Sequence, residues 1–141
     1  MGRLKLLSIL GLTLGAVALV AACGQSGFQN APSGPGLTAR TVSAGGVEVT
    51  ITPIRIDSSG ALFEVTFDTH SGDLALDVAG ASELQVDGTT WGDASWSGDA
   101  PGGHHRKGEL RFGAGGPAQG EALLSVGGLP GRAEAKWTLG S

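Results

Sequence analysis

Apolar residues recur at every second position in short runs, and that period decides what this chain can become. Ala61, Phe63, Val65 and Phe67 fall on one side of an extended backbone, with Glu64 and Asp68 on the other. Val47, Val49 and Ile51 do the same upstream. Such spacing gives a strand with one buried face and leaves no coherent stripe on a helix. Pro53 interrupts the phase, and Ile54 and Ile56 resume it one step out of register, which predicts a bulge or an edge position. Asp57-Ser58-Ser59-Gly60 and Ser71-Gly72-Asp73 read as turns. Leu74, Leu76 and Val78 predict a third strand. Leu84 and Val86 lead into Asp87-Gly88, a hairpin signal, with Thr89, Thr90 and Trp91 on the return. A polar connection is expected from Gly92 to Lys107. Leu110 and Phe112, then Ala122, Leu124 and Val126, then Ala133, Ala135, Trp137 and Leu139, predict the remaining strands.

No window beyond the first 22 residues has a helical period. Short strands at roughly ten-residue spacing predict an all-β domain, an antiparallel immunoglobulin-like β-sandwich of about seven strands. A small barrel is the alternative. The paired cysteines of true immunoglobulin domains are absent, so the expectation concerns architecture and not kinship. The 26 glycines suit many tight turns.

The first 23 residues follow a different logic. Arg3 and Lys5 precede an uncharged apolar run from Leu6 to Ala22, which ends in Val20-Ala21-Ala22-Cys23-Gly24. Basic residues stay on the cytoplasmic side while the apolar run enters the bilayer. Small residues before Cys23 let a peptidase approach the backbone. The pattern resembles a bacterial lipoprotein signal, whose lipobox cysteine is acylated and becomes the first mature residue. The resemblance implies removal of 1–22, lipidation of Cys23, and a place on the extracytoplasmic face of the cell membrane. The partner it implies is the lipid bilayer, reached through the acyl chains on Cys23. At 17 residues the run also approaches the length of an uncleaved membrane anchor. Ordinary secretory cleavage near Ala22 is the third alternative.

Residues 23–40 are expected to form the lipidated cysteine and a flexible linker, because GQSGFQNAPSGPGLTAR has no periodicity. Residues 41–141 are expected to form the sandwich. Cys23 is the one cysteine of the chain, so the domain must fold without a disulfide. Without 1–22 the formal charge is −6, seven basic residues against thirteen acidic. That balance argues against nucleic acid as a partner.

All three histidines lie in two short motifs, Asp68-Thr69-His70-Ser71 and Gly102-Gly103-His104-His105-Arg106. Strand period puts Asp68 and His70 on one outward face. One reading is a metal site built from His70, His104 and His105, with Asp68 or Asp99. Imidazole and carboxylate suit zinc or copper(II), although Arg106 and Lys107 adjoin the pair and oppose a cation. The plainer reading has His70 closing a strand end and the second motif ordering a loop around Trp91 and Trp96. An anion held by histidine and arginine is the third. Trp91 and Trp96 also raise the idea of a carbohydrate-stacking platform. Nucleophile elbows, His-Glu-x-x-His and phosphate-cradling loops are absent from the sequence.

Asp-Thr-His-Ser-Gly-Asp-Leu, a tryptophan-rich stretch, and Pro-Gly-Gly-His-His-Arg-Lys-Gly-Glu-Leu-Arg-Phe together resemble a family of exported prokaryotic β-sandwich domains with no assigned activity. The likeness runs from about Val47 to Trp137. It implies the fold and a link between the two histidine motifs, and names no substrate. The expected function is a membrane-anchored, non-catalytic binding or accessory module without a required cofactor. The alternatives are a metal-binding lipoprotein and a structural envelope component that meets an envelope protein partner.

Overall fold

A computed structural model describes residues 36–140; Cys23, the leader and the linker up to residue 35 lie outside the described residues, as does Ser141. Nine strands are present among the described residues, and no helix. They are β1 (Arg40–Ser43), β2 (Val47–Asp57), β3 (Gly60–Thr69), β4 (Ser82–Val86), β5 (Thr89–Trp91), β6 (Ser95–Gly98), β7 (His105–Gly113), β8 (Gly120–Val126) and β9 (Ala133–Leu139). One antiparallel sheet has the order β1-β2-β3-β7-β6, the other β5-β4-β8-β9. The two sheets form a β-sandwich. Setting β1 aside, the order reproduces the A-B-E-D and C′-C-F-G sheets of immunoglobulin-like domains.

The alternation seen in the sequence is the burial pattern. Val49, Ile51, Phe63, Val65, Phe67 and Leu110 of the first sheet are buried against Leu84, Leu124, Val126 and Trp137 of the second. Phe63 is the pivot. Its ring lies 5.5 Å from that of Trp137 and 6.2 Å, edge-on, from that of Phe112, a favoured aromatic geometry. The irregularity foreseen at Pro53 is a bulge: Pro53 pairs with Phe63 and Arg55 with Leu62, leaving Ile54 over. Asp87 (φ 49°) and Gly88 (φ 76°) form the two-residue turn of the β4–β5 hairpin, both with the positive φ of a type I′ turn.

Asp57 and Ser59 stabilise the β2–β3 turn. Both the hydroxyl and the amide of Ser59 donate to Asp57 Oδ1. These bonds, with a smaller contribution from Arg55, hold the Asp57 carboxyl below its ordinary value of 3.8. A depressed carboxylate contributes stability that is fully present above the unfolded value and lost as pH falls through the folded one. Asp57→Asn should therefore lower the melting temperature at neutral pH. The gap from the parent should close as the buffer is taken below about pH 3.8, which thermal melts across pH will show.

Three segments differ from the sequence expectation. β1 and β6 pair as edge strands where the sequence predicted no strand, β1 ahead of the first one expected at Val47 and β6 within the expected polar connection. Leu74-Leu76-Val78 is not a strand. Leu74 and Val78 are buried as an alternating pattern requires, but the segment crosses from one sheet to the other. Its carbonyls at 74 and 76 accept from a side chain, and Leu74 O also from Gly102 N, in place of a strand ladder. That side chain is Arg106, which donates to Leu74 O and Leu76 O.

Candidate functional site

The sandwich has two unlike ends. One end gathers the β1–β2 turn, the connection 70–81, the loop 99–104 and the loop 127–132. The other carries the tight turns at 58–59 and 87–88 and the connection 114–119. All three histidines lie at the first, the loop end.

Arg106 organises that end. Leu110 and Phe112 face the core, and counting back by twos along β7 puts Gly108 and Arg106 on the same face. Arg106 is 1% exposed. Its Nη1 donates to Leu74 O at 2.9 Å and to Leu76 O at 2.8 Å; its Nη2 donates to Asp99 O at 3.2 Å. No carboxylate among the described residues pairs with it. The charge is met by carbonyl dipoles and by the Trp96 ring, whose centroid lies 5.6 Å away. Trp96 in turn packs edge-on against Phe67 and donates from Nε1 to Asp99 O at 3.2 Å. Gly108 makes room for this indole: a Cβ there would stand 2.6 Å from the Trp96 ring and 2.7 Å from Ser97 O.

Backbone bonds complete the arrangement. Leu74 N donates to Gly103 O, and Gly102 N to Leu74 O, each at 2.9 Å. Gly103 N donates to Asp73 Oδ1. Gly102 (φ 116°) and Gly103 (φ 75°) occupy backbone conformations that favour glycine. Asp99 holds the β6–β7 hairpin through Lys107, whose amide donates to Asp99 Oδ2 at 2.8 Å. Thr69 N donates to His104 O at 2.9 Å, and Thr69 Oγ1 to Ser71 O at 2.6 Å. The two histidine motifs thus meet, joined mainly by residues other than histidine.

Asp68 and His105 are the members of the expected set that come together. They face each other across the β3–β7 ladder, with His105 Nδ1 2.6 Å from Asp68 Oδ1. Both are about half exposed (side chains 59% and 52%). Glu64 and Lys107 continue the row at 3.2 Å. His70 and His104 are exposed, and neither joins the Asp68–His105 pair. Asp68 faces outward as its strand phase demands. His70 lies beyond the last residue of β3, where the period no longer applies. Among the described residues no three His, Cys, Asp or Glu side chains gather as a metal-ligating group. Asp99 spends its Oδ2 on the Lys107 backbone amide.

Position bears on the remaining readings as well. Arg106 points into the protein, so it is not free to share a surface anion with histidine. Trp91 is 1% exposed in the other sheet, and Trp96 lies over Arg106, so the two do not form an open stacking platform. Arg106 is the residue that sequence reasoning missed as a structural centre, although the phase of β7 already placed it inward. No pocket opens on the surface of the described residues. No protein-family model, no curated protein and no solved structure matches this chain.

Proposed function

We propose that this chain is a lipoprotein whose β-sandwich is held by acylated Cys23 at the extracytoplasmic face of a membrane, where it acts as a non-catalytic binding or accessory module. The observation that carries the reading is the order of Arg3 and Lys5, an uncharged apolar run and Val20-Ala21-Ala22-Cys23. A basic start, an apolar stretch and a small-residue site with one cysteine have a common explanation in export followed by lipidation. One thioether-linked diacylglyceryl group supplies two chains, enough for stable anchoring at about 0.8 kcal/mol per buried CH₂.

The folded part supports a non-catalytic role through what its polar groups do. Arg106, Asp73, Asp99 and Thr69 are engaged in holding loops to one another. A zinc or copper(II) reading would rest on one imidazole and its carboxylate partner, fewer than the three protein ligands a zinc site draws on.

Metabolic labelling with a palmitate analogue tests the reading. The parent chain should take up label and run at the size of a protein lacking 1–22. Cys23→Ala should abolish both label and processing. A parent chain that takes up no label would exclude lipidation.

A further inference from the structure

The direction from which the chain joins the sandwich is set by one strand that the fold does not require. β2 runs from Val47, opposite Thr69 at the loop end, to Asp57 at the turn end. A sandwich beginning at β2 would receive its linker among the histidine loops. β1 reverses this. It runs antiparallel to β2, with Arg40 opposite Ile51 and Ser43 opposite Glu48. The residues before it lie along the last part of β9. Trp137 Nε1 donates to Thr38 O at 2.7 Å, and Leu37 is buried. Gly36 sits so close to β9 that a Cβ there would stand 3.1 Å from Thr138 O. Thr138 and Leu139 pair with Glu121 and Gly120, at the turn end.

Resting on the lipid-anchor reading above, we infer that β1 hangs the domain from its turn end and so presents the loop end to the aqueous side. The presented surface comprises 70–81, 99–104 and 127–132, with His70, His104 and the Asp68–His105 pair. One magnitude supports this orientation. β9 alone, at about 3.4 Å per residue, separates the ends by roughly 20 Å, so a chain tethered at the turn end keeps that end nearer its anchor.

Depth-dependent quenching tests this on the full lipidated chain. Cys23 is the one native cysteine, and acylation occupies its sulfur. Single variants Ser58→Cys and Thr89→Cys at the turn end, and Ala100→Cys and His104→Cys at the loop end, all fall at exposed positions. Each is labelled with a fluorophore, reconstituted into vesicles bearing a headgroup quencher, and floated. Turn-end labels should be quenched at least about twofold more than loop-end labels, given a depth difference of roughly 20 Å. Equal or stronger quenching at the loop end on floating protein would overturn the orientation alone. Protein that does not float would overturn the anchor and the orientation with it.

Discussion

Arg106→Met should lower the unfolding free energy by about 3–4 kcal/mol, although methionine fills much of the same space. Each bond from a charged donor contributes about 1.5–3 kcal/mol; three are lost, and Leu76 O is left without its donor, while Gly102 N still serves Leu74 O and Trp96 Nε1 still serves Asp99 O. An apolar replacement can match a buried ion when both partners are replaced. Here the acceptors are backbone and stay. A domain of about 100 residues shifts by roughly 4–8 °C per kcal/mol, so the melting temperature should fall by at least about 12 °C. Arg106→Lys should recover part of the loss, because one ammonium can reach some carbonyls but lacks the planar fork that spans two segments. Amide exchange should rise first at 70–81 and 99–104, the segments that the guanidinium joins. A melting temperature within about 2 °C of the parent would show that the loop end does not depend on this residue.

Trp137→Ala should cost about 3–5 kcal/mol, the range for truncating a buried aromatic. Trp137 is 1% exposed and packs on Phe63 at the centre of the core. Its second role separates it from other core aromatics. The indole N–H holds Thr38 O at 2.7 Å and so fixes the residues that lead into β1. Trp137→Phe should keep much of the packing and lose that bond, costing about 1 kcal/mol for the bond itself. Amide protection near residues 36–43 should fall further than elsewhere in the domain. Urea denaturation gives the first quantity, and hydrogen exchange read by mass spectrometry gives the second. Uniform loss of protection would assign Trp137 to packing alone.

What could be read from the sequence follows from what local patterns encode. Phe63, Val65 and Phe67 alternate with polar residues, and all three are fully buried. Asp87-Gly88 carries its own turn geometry, and Pro53 its own bulge. β6 was hidden because Ser95–Gly98 holds one large apolar residue, Trp96, and one residue has no period. β1 was hidden for the same reason, with Val42 alone. Leu74 and Val78 alternate like a strand and bury like one. Periodicity reports which side chains go inward and says nothing about where the backbone groups find partners.

The histidine region shows the same division. Asp68 could be placed outward from strand phase alone. Its pairing with His105, 37 positions away, depends on the β3–β7 register, which no local pattern carries. Arg106 was different, since Leu110 and Phe112 already fixed its phase. A charged residue on an inward position asks which acceptors face it, and the carbonyls of 74, 76 and 99 answer.

The account as a whole stands on the sulfur of Cys23, and intact mass analysis of the protein purified from its own membranes tests it most directly. A chain that begins at Cys23 and carries the added mass of acyl groups on that residue is the predicted result. A free thiol at Cys23, or residues 1–22 still attached, would contradict it.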